Sequence, residues 1–155
     1  YIGAEDMSRA DGVIAAGFKM ALGYSAVLGL LFVIYRIELL NVFANSGADF
    51  SEILELGSFL MICLACYVMG DAIILIAGGV LRGAGDTRWL MITSISLHWL
   101  MLVAQYFVIM VLQWGPRASW VIFVLLIILL AAVYLWRLRS NVWREPERLA
   151  KVMAE

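Results

Sequence analysis

Four runs of this chain are each long and apolar enough to cross a lipid bilayer, and they leave few alternatives for its fold. They cover about residues 17–40, 57–81, 89–114 and 118–136. A helix needs about 20 mostly apolar residues to span roughly 30 Å of hydrocarbon. The runs are too long for barrel strands and lack alternation of period two. In lipid every backbone polar group must also be satisfied within the segment, which favours helices. The composition agrees: 65% of the 155 residues are hydrophobic and 15% are charged, against about 45–50% and about 25% in soluble domains. The expectation is an all-α integral membrane protein with four transmembrane helices and no internal domain boundary.

The positive charges give the spans a direction. Arg9 and Lys19 lie at the entry to the first span, Arg82 and Arg88 between the second and third, and Arg137, Arg139, Arg144, Arg148 and Lys151 after the fourth. The connection 44–56 carries Asp49, Glu52 and Glu55 and no Lys or Arg. Basic residues stay on the cytoplasmic side, so both ends and the middle turn are expected there. Arg36 and Arg117 fall on the other side, and Arg36 is expected to pair with Glu38. Trp89, Trp114, Trp120, Tyr134 and Trp136 lie near span edges, where amphipathic rings prefer to sit. The charged tail 137–155 could form a short surface helix.

Small residues recur every fourth position in the first span, at Gly17, Ala21, Ser25 and Gly29. That spacing allows close helix approach, and Gly79 and Gly83 repeat it. The fourth span carries Leu, Ile and Val all round, as expected of a helix largely facing lipid. Cys63 and Cys66 form a CxxC pair at membrane depth, without a second pair or a nearby His. They read as small packing residues rather than a redox or metal motif.

Asp71 cannot be explained by span filling. A carboxylate at mid-membrane costs about 2.5–3.5 kcal/mol on insertion scales. It must face a cavity, a partner or a cation, or be protonated. Burial favours the protonated acid and a nearby cation favours the carboxylate, so one such group can exchange a proton for a cation. Tyr67 lies four residues earlier on the same helical face. Its ring could meet a cationic ligand and its hydroxyl could bond to the carboxylate. Gly70 and Gly78 flank the pair and leave room for a neighbour. The alternative is a structural polar residue bonded to another helix. His98, with Ser94 one turn before it and Gln105 two turns beyond, reads as an interhelical hydrogen-bonding residue.

The segment GVLRGAGDTRWLM, residues 79–91, resembles a signature of the multidrug and toxic compound extrusion (MATE) transporters, in which an RG-x-G-D-T-[RK] stretch follows the fourth helix of a six-helix lobe. Arg82, Gly83, Gly85, Asp86, Thr87 and Arg88 carry the match. Gly83 and Gly85 permit unusual backbone angles, and Asp86 or Thr87 can cap the next helix. The run is not a phosphate loop, because it lacks the Walker lysine and a preceding strand. The opening YIGAEDMSRADGVIAAGF is similar to the family's loop before the third helix of a lobe.

The resemblance implies a twelve-helix protein of two lobes, of which this chain would supply helices nine to twelve. In the family's NorM-like branch, Asp71 and Tyr67 match an aspartate and tyrosine of helix ten that bind the coupling ion, H+ or Na+. It implies an antiporter with no enzyme activity and no cofactor. Its partners would be membrane lipid, the N-terminal part of the same transporter and small organic cations, with no nucleic acid. It implies a multi-pass protein of the inner (plasma) membrane. Two other functions fit four such spans: a flippase of related fold that moves a lipid-linked sugar, and a stand-alone four-span protein with a structural or partner-binding role.

Overall fold

A computed structural model describes residues 7–42, 50–140 and 142–144, and every regular element in it is helical. In chain order these are α1 (Met7–Ile34), α2 (Arg36–Asn41), α3 (Phe50–Gly83), α4 (Thr87–Tyr106) and α5 (Gly115–Arg139). A π-helical turn, Phe107–Val111, extends α4, and a 3₁₀ turn, Val142–Arg144, follows α5. The segments Ser8–Ile34, Ile53–Gly83, Thr87–Val111 and Gly115–Arg139 are each long and apolar enough to cross a membrane. The chain is an all-α membrane protein.

The helices overrun the boundaries expected from hydropathy. Helix α1 starts at Met7, so most of the opening expected to be loop is helical; residues 1–6 lie outside the described residues. Its sequence from Met7 contains no proline, and polarity alone does not stop a helix. Near the other end of the first span the helix breaks at Tyr35 (φ −94°, ψ 18°) before α2 begins. Helix α3 has 34 residues, about 51 Å at 1.5 Å each, well beyond the bilayer core. It absorbs residues 50–56 of the expected acidic connection. Asp49 lies outside the described residues, as does the side chain of Glu52. Beyond Arg144 the tail also lies outside them.

Helix α3 packs against α1 on one side and α5 on the other. Glycines set both contacts. The small-residue stripe of α1 faces α3: Ser25 is buried, and a Cβ on Gly29 would sit 3.4 Å from Ala65. On the other side, a Cβ on Gly70 would lie 3.3 Å from Ile127, and one on Gly78 would lie 3.3 Å from the Tyr134 ring. Those distances are tighter than ordinary van der Waals contact, so a side chain at either position would make α5 give by a few tenths of an ångström. Gly79 and Gly83 meet nothing within 4 Å, so their spacing serves no contact among the described residues.

The fourth span is not the most exposed one. Val124, Ile127, Leu130, Ala131, Tyr134 and Arg137 form a buried stripe along α5. Even hydrophobicity around a helix does not reveal which face packs, because lipid and protein neighbours are equally apolar. Helix α4 is the exposed member; only Leu90 is buried within it. Cys63 is half-buried and Cys66 exposed, and both are free.

The arginines on the acidic-loop side are engaged. Arg36 donates to Ser58 Oγ at 2.9 Å and to the Val33 carbonyl at 2.7 Å, rather than pairing with Glu38. In the helical geometry Arg36 reaches back over the last turn of α1. Arg117 pairs with Glu55 at 2.5 Å, linking the start of α5 to the start of α3.

Candidate functional site

Helices α3 and α4 diverge above their shared turn, and α5 forms the floor between them. The resulting cleft has a volume of about 500 Å³. Ile74 and Leu75 of α3 line it, and with them Tyr67, Asp71, Gly78 and Arg82. Spacings of four, seven and four keep the latter four on one face of a helix. Helix α4 contributes Thr87, Ser94 and His98, and α5 contributes Ile127, Leu130 and Tyr134.

The cleft thus brings together Tyr67, Asp71, Ser94 and His98. Asp71 is half-buried and makes no hydrogen bond or ion pair among the described residues. The expected bond to Tyr67 is not formed; the Tyr67 ring stacks on Phe123 of α5 instead, with centroids 5.7 Å apart and planes at 21°. His98 is not an interhelical bonding residue. Its Nδ1 lies 2.7 Å from the Ser94 carbonyl of its own helix. A carbonyl can only accept, so this bond requires a proton on Nδ1. The interhelical bonds come from Gln105, whose Nε2 donates to the Ser119 carbonyl at 2.9 Å while its Oε1 accepts from Ser119 Oγ at 2.5 Å. Spacing placed His98 on a face of α4; only the structure shows that this face lines the same cleft as Asp71.

The signature turn closes one end of the cleft. Gly85 has φ +79°. Its N–H donates to the Arg82 carbonyl at 3.0 Å, and the Asp86 N–H donates to the Leu81 carbonyl at 2.9 Å. These two bonds form a Schellman motif, with glycine at the position that must be left-handed. Gly83 is the last residue of α3 and has no positive φ, so one of the two glycines is needed for its conformation. Asp86 occupies the N-cap position of α4 without a side-chain cap bond. Its carboxylate instead accepts from Arg137 Nε of α5 at 2.8 Å, with both side chains nearly buried. The guanidinium lies 5.0 Å from the Trp89 ring centroid. Trp89 in turn meets Tyr134 at 6.0 Å. Trp89 and Tyr134 were expected at a membrane interface; Tyr134 is buried in the core that includes Leu81 and Trp143. Trp143 donates its indole N–H to the Leu138 carbonyl at 2.8 Å, and Arg144 pairs with Asp11 of α1.

Comparison with known proteins places this arrangement. The sequence profile of the MatE family matches residues 1–107. The chain belongs to the MatE family. That family comprises transporters rather than enzymes. Relatives include a multidrug resistance protein MdtK of Cronobacter sakazakii, 31% identical over 96 residues, which are 59% of this chain and 21% of that protein. A multidrug resistance protein NorM of Photobacterium profundum is 25% identical over 77% of this chain and 26% of its own length. A probable multidrug resistance protein NorM of Mannheimia succiniciproducens is 20% identical over 96% of this chain and 32% of its own. The chain therefore spans between a fifth and a third of the length of these relatives. No solved structure matches it. The MatE match covers α1, α3, α4 and the signature turn, and so includes Asp71, Tyr67 and His98.

Proposed function

We propose that this chain is the last four-helix portion of a MatE secondary transporter that exports amphipathic, often cationic compounds in exchange for H+ or Na+. Asp71 would hold the coupling ion, with Tyr67 beside it. The observation carrying this reading is a carboxylate without a hydrogen-bonding or ionic partner among the described residues, set in a cleft on a membrane-spanning helix. An acidic residue on a membrane-spanning helix is costly to keep there and marks a functional position by default. The relatives' names, multidrug resistance proteins, support the export of drugs. In this reading the rest of the transporter supplies the other lobe and the remaining ion ligands. Alternating access then moves one lobe against the other.

The turn 82–88, α5's end and the start of α1 would face the cytoplasm of the inner membrane. The basic residues gathered there support this orientation. So does the engagement of both arginines at the opposite end by local partners. The cleft lining holds one aspartate, Asp71, and one arginine, Arg82, and so does not favour the basic cavity of a lipid-linked sugar flippase.

The test is Asp71→Asn in the complete transporter, read as efflux of a fluorescent organic cation from vesicles under imposed H+ or Na+ gradients. Loss of gradient-driven efflux with retained expression is expected. Efflux that keeps its rate and its ion dependence would remove Asp71 from the coupling site.

A further inference from the structure

The end of the cleft at the α3–α4 turn is lined by Arg82, Thr87 and Tyr134. Tyr134 occupies a fixed place there. Its ring lies against Gly78, where even a Cβ would come within 3.3 Å of it. Behind it stand Trp89, then Arg137 over the Trp89 ring, then the buried carboxylate of Asp86. These contacts run from the signature turn, through the first turn of α4, to the last two turns of α5. They therefore join all three helices that form the cleft, at one end of it. At the other end α4 and α5 are held together by Gln105 and Ser119, but no buried charge is present among the described residues.

From this geometry we propose that the Asp86–Arg137 pair is a positioning device that holds Tyr134, through Trp89, as the wall closing the turn end of the Asp71 cleft. It thereby governs whether Asp71 can be reached from that side of the membrane. Asp86 and Arg137 do not themselves line the cleft; they act through two aromatic rings. The charge pair has a reason to be ionic rather than apolar. A buried ion pair is often no more stabilising than well-packed apolar residues, and fixing one register is the best-attested use for keeping it. A wall that must be either closed or open, and not half-displaced, suits such a contact. The proposal rests on the transporter reading above, yet the accessibility of the cleft can be measured without any transport.

The experiment uses the complete gene product containing this chain, with native cysteines replaced and one cysteine placed in the cleft by Leu75→Cys. Leu75 lines the cleft and is exposed, so a reagent that enters can reach it. Labelling by a membrane-impermeant maleimide is followed separately from each face, in right-side-out and inside-out vesicles. Arg137→Met should raise the labelling rate from the turn face by about tenfold or more, since breaking a buried pair releases the constraint it imposed. The rate from the opposite face should not rise. The exchange Asp86→Arg with Arg137→Asp should bring the turn-face rate back toward that of the parent. Trp89→Leu provides a second variant, which keeps the ion pair but removes the ring linking it to Tyr134; it should open the same face. An unchanged turn-face rate in Trp89→Leu or Arg137→Met overturns the proposal. So does an equal rise from both faces, which would indicate a loosened bundle. Asp71→Asn efflux tests the transporter reading separately, and its outcome does not alter how the labelling rates are judged.

Discussion

Arg137→Met and Asp86→Asn probe the buried pair as a source of stability, apart from any effect on access. The Asp86 and Arg137 side chains retain 8% and 11% of their exposure, so solvent screens their interaction little. Removing the guanidinium leaves a carboxylate in a site built for an ion pair. Breaking a buried pair in this way costs about 3–5 kcal/mol. Arg137→Met also removes the stacking on Trp89, adding roughly 0.5–2 kcal/mol for a cation over an aromatic face. Asp86→Asn keeps the shape at the N-cap position of α4 and still offers an oxygen to Arg137, so its effect should be the smaller of the two. In the double variant both charges of the pair are removed together. Its destabilisation should therefore fall short of the sum of the singles by about 0.5–3 kcal/mol, the range for directly coupled residues. The measurement is reversible unfolding of the purified complete protein in mixed micelles, followed by tryptophan fluorescence. Additive singles and double would show that the two residues do not interact as drawn. A loss below about 1 kcal/mol for Arg137→Met, the value of an exposed pair, would refute the burial that the magnitude depends on.

Other substitutions test other parts of the structure. Gly85→Ala forces a Cβ into φ +79° and should destabilise the turn by about 1–2 kcal/mol, whereas Gly83→Ala, with open space around it, should be neutral or slightly stabilising in the same unfolding assay. Gly78→Ala brings a methyl within 3.3 Å of Tyr134; it should displace that ring and lower efflux more than Gly79→Ala, which meets nothing. Arg117→Ala breaks an exposed ion pair to Glu55 and should change stability by no more than about 1 kcal/mol, an effect that shrinks in high salt. His98→Gln should preserve folding, because the bonds made by its ring stay within α4; a change in the ion dependence of efflux would show that Nε2 serves the Asp71 cleft, and an unchanged dependence would confine His98 to the lining.

The four membrane-length spans and the setting of Asp71 in a cleft were legible in the sequence because each rests on a strong solvent preference. Twenty apolar residues need lipid, and a carboxylate among them needs a reason. Gly17, Ser25 and Gly29 were legible for a similar reason, since small residues at fourth positions have few other uses in a membrane helix. Three features were not legible. The packed face of α5 carries the same Leu, Ile and Val as its exposed face, so hydropathy has no contrast to read. The partner of Arg36 was assigned by nearness in sequence, to Glu38, but the side chain reaches Ser58, 22 positions away. Asp86 occupies a capping position by every local rule, yet its carboxylate is taken by a residue 51 positions later. Local signals could not rank a cap against a buried cation delivered by another helix.

The signature turn and the candidate ion site therefore belong to one construction. Gly85 ends α3 in a motif that sends the chain back at once, and Asp86 is the next residue. Its carboxylate fastens the end of α5 at that point, and this sets where Trp89 and Tyr134 stand. Gly70 and Gly78 then bring α5 close along the upper length of α3, so that α5 fills the space behind α3 and leaves α4 standing apart. The cleft forms between α3 and α4 because α5 takes the close contacts and α4 does not. Asp71 sits seven residues from Gly78 and one from Gly70, on the part of α3 that α5 approaches without covering. A larger residue at 70 or 78 would push α5 away and widen the floor under Asp71 without touching the carboxylate. Loss of ion coupling in such variants, with Asp71 intact, is the behaviour expected if the site is made by helix spacing as much as by its charged residue.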